Sequence, residues 1–451
     1  MNPAATDTIV AVATARGNGA IGVVRLSGPK AFAIAERISG NLPPPRTAGL
    51  RRFVDPDSSL IDQGLVIRFV APNSFTGEDL VELQAHGGAV VLDMLQQAAT
   101  RHGARLARPG EFSERAFLND RIDLVQAEAI ADLIQAGSQA AVRAANRSLQ
   151  GEFSAQVEDI ARQLMALRTW VEGALDFSDE DVDWLGDQGL IQRYEAACKA
   201  LEALRAKATQ GRRLQEGMVV VIAGAPNVGK SSLLNRLSRT DAAIVTPMPG
   251  TTRDPLREQV LIGEHGFTLI DTAGLRQTQD PIEAEGIARA RKMAQQAELI
   301  LYLLDDRKGL SAEDQAHLRQ LNPQAQVLLV YNKIDLSGAS AHTGEMNAWR
   351  IVRISAHTGE GMQLLQQLLL GYAATQDESS ASFSARRRHL DALARCATHL
   401  QTAFAQLHHG QQAELSAEEL RLAQAALGEI TGKTDSEDLL GEIFSRFCIG
   451  K

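Results

Sequence analysis

Gly224-Ala225-Pro226-Asn227-Val228-Gly229-Lys230-Ser231 has the spacing G-x-x-x-x-G-K-[ST], which suits a triphosphate. Glycines let backbone N–H groups close around phosphate oxygens, and a helix N-terminus adds a favourable partial charge. In this pattern Lys230 reaches the β- and γ-phosphates and the Ser231 hydroxyl ligates Mg²⁺. Gly224, Val228, Gly229 and Ser232 complete the cradle. Gly250-Thr251-Thr252-Arg253-Asp254 offers Thr252 as a second Mg²⁺ hydroxyl. In Asp271-Thr272-Ala273-Gly274 the aspartate can hold the metal through water, and Gly274 can bring an N–H to the γ-phosphate.

Asn332-Lys333-Ile334-Asp335 and Ser355-Ala356 point to the base. The Asp335 carboxylate only accepts hydrogen bonds. Guanine offers it N1–H and an amino group, whereas adenine presents a bare N1 that repels it. The Ala356 N–H suits guanine O6, and the Lys333 stem can lie over the ring. The set predicts a GTPase. After Gly274 stands Leu275, not the glutamine that orients water in Ras-type enzymes. Another group must then neutralise the transition state. Asn227 and the carbonyl-rich Thr246-Pro247-Met248-Pro249-Gly250-Thr251 could form a K⁺ site beside the phosphates. Asn227 also suits a turn, the lesser of the two readings.

These residues need strands to carry them. Met218-Val219-Val220-Val221-Ile222-Ala223 reads as a buried strand, and Ser232 to Leu237 as the first turns of a helix. Phe267 to Ile270, Val327 to Tyr331 and Ile351 to Ile354 are apolar runs, each ending at one of the polar sets. That is the edge where open α/β sheets bind ligands.

The chain of 451 residues has room for about three domains. No apolar run approaches the roughly 18 residues of a membrane span, and Met1 to Asp7 does not resemble a secretory signal. The three cysteines, Cys198, Cys396 and Cys448, form no framework or metal spacing, which suits a cytoplasmic protein. The last cysteine lacks the terminal residue of a prenylation signal. A net charge of −9 argues against a broad nucleic-acid coat. Arg212-Arg213 and Arg386-Arg387-Arg388 could be solvated faces or local RNA contacts.

Residues 1–118 read as β-containing, with strands at Asp7 to Thr14, Ile21 to Leu26 and Leu65 to Val70, and a helix from Ala89 to Thr100. Phe75 to Gly88 could be a ligand loop or a turn-rich connection. From 119 to 215 the pattern is helical. Its clearest stripe is Phe153, Val157, Ile160, Leu164, Leu167 and Val171, the seam of packed helices. Asp176 to Asp187 reads as an acidic turn. A nucleotide domain occupies 216–377, and residues 378–451 return to helix, with a stripe at Leu390, Leu393, Ala397, Leu400, Phe404 and Leu407. Neither helical stretch buries much core alone, so the expectation is one bundle with the nucleotide domain inserted. The fold class is multidomain, α/β plus all-α.

End to end the chain resembles the MnmE (TrmE) family of tRNA-modification GTPases. The resemblance rests on Ser74-Phe75-Thr76-Gly77-Glu78-Asp79, His86-Gly87-Gly88, Asp123-Leu124-Val125-Gln126-Ala127-Glu128-Ala129-Ile130, the inserted GTPase motifs and the terminal Phe447-Cys448-Ile449-Gly450-Lys451. It implies an N-terminal α+β folate-binding domain, a helical bundle and a Ras-like P-loop GTPase domain with a mostly parallel sheet. It implies a homodimer formed through the N-terminal domain and a flavoprotein partner, MnmG, in an expected heterotetramer. Together they would place a carboxymethylaminomethyl or aminomethyl group on C5 of the wobble uridine, U34, of certain tRNAs. The carbon would come from 5-formyl- or methylene-tetrahydrofolate. GTP hydrolysis would be K⁺-activated and depend on G-domain dimerisation. On this resemblance Asn227, Thr246, Met248 and Thr251 hold K⁺, Ser231 and Thr252 hold Mg²⁺, and Glu283 positions water. Lys230 and Asn227 join Glu283 as catalytic residues. Arg25, Glu82 and Lys451 match folate contacts, and Arg121 stands where a lysine is common. The alternative is an RNA- or ribosome-binding GTPase switch without modification chemistry, but no appended basic RNA module is evident.

Overall fold

The computed structural model describes residues 7–15, 17, 19–176, 188–238, 257–263, 265–271, 297–320, 325–346, 349–374, 383–410, 412–433, 437–445, 447 and 450. The acidic 177–187 stretch lies outside them. The chain divides into two compact units, residues 1–131 with 421–451, and residues 132–420.

In the first unit six strands form one sheet: β1 (Ile9–Val12), β2 (Gly19–Ser27), β3 (Gly49–Val54), β4 (Leu60–Phe69), β5 (Leu80–Gly87) and β6 (Arg105–Leu106). Their order is β3-β4-β5-β2-β1-β6, antiparallel except for the β1–β6 pair. Helices α1 (Ala31–Ser39) and α2 (Ala89–Arg101) supply Ile34, Ile38, Leu92 and Leu95 to a core shared with Val24, Leu26, Val81 and Leu83. Much of the 75–88 stretch is therefore a central strand and not a loop. Leu80, Val81, Leu83, Ala85 and Gly87 are buried, and between them stand the less buried Glu82, Gln84 and His86. The polar residues hid a period of two that one apolar face imposes. Next come α3 (Glu111–Leu118) and α4 (Leu124–Gln135). The C-terminal helix Glu437–Ser445 and Phe447 pack in this unit, with Phe444 6.2 Å from Phe117 and 5.4 Å from Phe447 between ring centroids.

A charged cluster ties α3 to the N-terminal segment. Arg105 Nη2 donates to Glu111 Oε1 at 2.6 Å, and Arg115 Nη2 donates to Glu111 Oε1 at 3.1 Å and to Asp7 Oδ1 at 2.7 Å. Burial pushes the Glu111 carboxyl up, but the Arg105 hydrogen bond and the others it accepts outweigh this and hold it below its ordinary value.

In the second unit, α5 (Gln139–Leu149), α6 (Glu152–Asp176), α7 (Gln188–Glu216) and a later helix, Arg387–Gly410, form the helical part. The six residues of the α6 stripe are all buried. Phe153 stacks on Phe383 at 4.4 Å with His389 at its edge. Ser384 is buried beside them, its Oγ bonded to Asp132 Oδ2 at 3.0 Å, and Arg386 meets Asp132 Oδ1 at 2.6 Å.

The rest of this unit carries a seven-stranded sheet of β7 (Met218–Gly224), β8 (Arg257–Ile262), β9 (His265–Asp271), β10 (Leu299–Asp305), β11 (Gln326–Asn332), β12 (Thr343–Met346) and β13 (Trp349–Ile354). The order is β12-β13-β11-β10-β7-β9-β8. The five middle strands are parallel and only the two edges are antiparallel. Strands covered on both faces read as unbroken apolar runs, and β10 is buried at every position. Helices α8 (Lys230–Ser238), α9 (Ala312–Gln320), α10 (Ile334–Ser337) and α11 (Met362–Ala374) belong to this layer. No helix among the described residues is long and apolar enough to cross a membrane.

Because native hydrogen bonds depress the Glu111 and Asp7 carboxyls, their stabilisation is full above the unfolded carboxylate values near pH 4 and fades as pH falls through the lower folded values. Thermal melts of the full chain between pH 7 and pH 2.5 should show this loss. Glu111→Gln should flatten the acid limb and cost about 3 kcal/mol at pH 7, the low end for a broken buried pair because Arg105 is half-exposed.

Candidate functional site

β7 ends where the phosphate loop begins. Gly224 has φ +136°, and a Cβ there would lie 2.3 Å from the Leu303 carbonyl oxygen. Gly229 has φ +102°, and a Cβ there would lie 2.3 Å from Asn332 Nδ2. Both positions need glycine for backbone shape and for close approach. Lys230 opens α8 and is buried. Its ammonium donates to the Gly224 carbonyl at 2.7 Å and the Ala225 carbonyl at 2.9 Å, spanning the loop. Ser231 and Ser232 follow it on α8, both exposed, and Val228 is buried.

The base-side residues are joined to this loop by one amide. Asn332 closes β11 and is 3% exposed. Its Nδ2 donates to the Val228 carbonyl at 2.8 Å, and its Oδ1 accepts the Ala356 N–H at 2.9 Å. Lys333 Nζ donates to the Asn227 carbonyl at 2.6 Å. The exposed Asp335 is oriented from behind, because the fully buried Ser355 donates its hydroxyl to Asp335 Oδ1 at 2.6 Å. Arg236 on α8 grips the same loop through the Ala356 and His357 carbonyls. One side of the site is thus a backbone loop whose carbonyls are held by Lys230, Asn332 and Lys333, and the other carries an exposed acceptor carboxylate held by Ser355.

In the first unit, Arg25 and Glu82 face each other across β2 and β5 in direct register. Arg25 Nε and Nη2 both donate to Glu82 Oε1, at 3.1 and 2.8 Å. Among the described residues, Glu82 Oε2 takes no hydrogen bond. Arg25 also reaches the Gly450 carbonyl at 3.4 Å and lies 5.9 Å from both the Phe75 and Phe112 ring centroids. Gly450, at φ +95°, fits a slot where a Cβ would lie 2.3 Å from the Val12 carbonyl. Arg121 is exposed, and its stem runs beside Gly77.

A family model described as the MnmE helical domain matches residues 124–448, and one described as the GTP-binding protein TrmE N-terminus matches residues 8–121. The chain is 50% identical over 446 residues to the tRNA modification GTPase MnmE of Nitrosococcus oceani, across 99% of this chain and 97% of that protein. The same identity extends over 450 residues to the MnmE of Haemophilus influenzae Rd, across 99% of this chain and 100% of that one. It extends over 449 residues to the MnmE of Thiobacillus denitrificans, across 100% and 99%.

The chain belongs to the MnmE family.

It is a GTPase built from a TrmE-type N-terminal domain, a helical domain and a P-loop nucleotide fold. Of the residues expected to serve an MnmE-family site, the structure brings together Gly224, Asn227, Val228, Gly229, Lys230, Asn332, Lys333, Asp335, Ser355 and Ala356. The Ala356 N–H is engaged by Asn332, so a guanine O6 would have to share it. Asp271 ends β9 in register with Ile222 of β7. Thr246, Met248, Thr251, Thr252, Thr272, Ala273, Gly274, Glu283 and Lys451 lie outside the described residues. The sequence reading missed Asp305 and Arg236. Asp305 could have been found, since it follows the apolar run Leu299 to Leu304 as the other polar sets follow theirs. Arg236 carries no such signal, because its partners are carbonyls about 120 residues away.

Asn332→Ala should strand the Val228 carbonyl and the Ala356 N–H together. The expected cost is about 2–3 kcal/mol, read by denaturant unfolding of the nucleotide-free protein.

Proposed function

We propose that this MnmE-family GTPase uses GTP hydrolysis to drive modification of certain tRNAs at C5 of the wobble uridine, U34, with the flavoprotein MnmG as partner. The group added is carboxymethylaminomethyl or aminomethyl. The observation that carries the reading is the meeting of Arg25, Glu82 and Gly450. It draws the chain's end onto the strand pair whose glutamate keeps one carboxylate oxygen for a ligand. Such an acceptor suits the N–H face of a pterin, as Asp335 suits guanine. Arg25 holds that carboxylate in place, and Arg121 and Lys451 are assigned to the rim of the same site. When bound there, 5-formyl- or methylene-tetrahydrofolate supplies the one-carbon unit.

At the nucleotide, Lys230 is assigned to the β- and γ-phosphate oxygens, turning from the two loop carbonyls it now holds. Ser231 and Thr252 would hold Mg²⁺. Asn227, Thr246, Met248 and Thr251 would hold K⁺, which would supply the positive charge that an arginine supplies elsewhere. Asn227 fits a turn-and-ligand role, exposed and left-handed at φ 62°. Glu283 is assigned to position water, Asp271 to the metal's water, and Thr272, Ala273 and Gly274 to the γ-phosphate side. We read residues 216–377 as a nucleotide domain set between helical stretches 119–215 and 378–451, with 1–118 as the folate and dimerisation domain. The working assembly is a cytoplasmic homodimer that joins MnmG in a heterotetramer.

Two experiments test this. Asp335→Asn replaces a pure acceptor with an amide that can also donate, which suits xanthine, a base with a carbonyl where guanine has its amino group. GTP turnover should fall by roughly 10²-fold or more while xanthosine triphosphate becomes the better substrate. Mass spectrometry of tRNA from cells lacking the gene should show wobble uridines without the added group. Unchanged wobble uridines would leave the modification role without support.

A further inference from the structure

Asp305 ends β10 beside the nucleotide loops, and its side chain is 6% exposed. It accepts a fork from Arg307, whose Nε donates to Oδ1 at 2.9 Å and Nη2 to Oδ2 at 2.7 Å; the Arg307 backbone N–H adds a third bond at 3.2 Å. Oδ2 also meets the Lys333 ammonium at 3.1 Å. That ammonium donates in turn to the Asn227 carbonyl. Lys333 and Asn227 both stand in the left-handed region, at φ 72° and 62°, and neither is glycine. Backbones like these persist only where neighbours over-determine them. Here one ammonium links the two, and one buried carboxylate holds the ammonium.

We propose that Asp305 is a positioning residue for guanine nucleotide: gripped by Arg307, it keeps Lys333 drawn onto the Asn227 carbonyl, so that the base loop and the phosphate loop bind as one preformed unit. This rests on the assignment of Lys333 and Asp335 to the guanine site. The Arg307 hydrogen bonds hold the Asp305 carboxyl well below the usual carboxylate range, so the acceptor is charged throughout neutral solution. Without it, the half-buried Lys333 head is free to turn to water. The loss would fall on ground-state binding of the base, shared by GDP and GTP, because the link runs through Lys333 of the base loop and ends on the Asn227 backbone carbonyl, not on the side-chain amide assigned to K⁺.

The test uses the full-length protein with Asp305→Asn, which keeps shape and removes charge. The Kd for GDP and the KM for GTP should both rise about tenfold, as for a lost charge-assisted hydrogen bond, with kcat within about twofold of wild type. On a Lys333→Ala background the same substitution should add less than about twofold, since Asp305 acts through that lysine. Arg307→Ala, a half-exposed change, should raise both constants about threefold with the same split, and it carries the test if Asp305→Asn fails to fold. Unchanged affinity, a full loss added to that of Lys333→Ala, or a loss confined to kcat would overturn the proposal. Asp335→Asn assayed in parallel separates the two layers. If it keeps its preference for guanine, the underlying site assignment fails. If it turns to xanthine while Asp305→Asn binds GDP like wild type, only the role of Asp305 fails.

Discussion

The phosphate loop is tied from within by its own Lys230, which holds the Gly224 and Ala225 carbonyls, and it needs a second brace from outside. Here the Asn332 amide supplies that brace from the end of β11, two strands along the sheet from β7, holding the Val228 carbonyl with one end and the Ala356 N–H with the other. Both bonds are buried, so water cannot replace them and either orphaned group would carry its full desolvation cost. The phosphate side and the base side are therefore shaped by the same residue. Lys333 repeats the link at a more exposed level, from the adjacent position to the Asn227 carbonyl.

Such bridges need strands that end on the same side of the sheet. The parallel order β11-β10-β7-β9 brings Asn332, Asp305, Gly224 and Asp271 to one edge of the sheet. Asn332 is paired with Asp305, Leu303 with Gly224, and Ile222 with Asp271. The hydrophobic runs behind them bury on both faces, so a slip of one residue would put different side chains against each covering layer and lose close packing. Core packing and site geometry are thus one constraint seen from two ends of each strand.

The first unit brings distant residues together by another route. A single cross-strand pair sets Arg25 against Glu82; the chain's far end meets Arg25 and Val12 at Gly450, while Phe444 and Phe447 pack on Phe117 of α3 and Leu124 of α4. Antiparallel neighbours bring residues far apart in sequence face to face with no crossover.

Motif and composition alone determined the chemistry of the nucleotide site, because glycine spacing, a lysine and an acceptor carboxylate have few other uses in that order. They also determined the strands that carry it and the α6 seam, since burial of one stripe leaves a period that can be read. Tertiary structure decided what pairing decides. It made β5 a central strand, which polar residues at alternate positions disguised as loop. It set Arg25 on Glu82 through a register that no local pattern encodes. It showed Asn332 bracing two loops where its motif suggests a base contact, and it brought Asp305 and Arg236 to the site. Those last roles depend on which carbonyl, ammonium or strand end lies opposite in space, and a linear chain does not carry that until its sheet has closed.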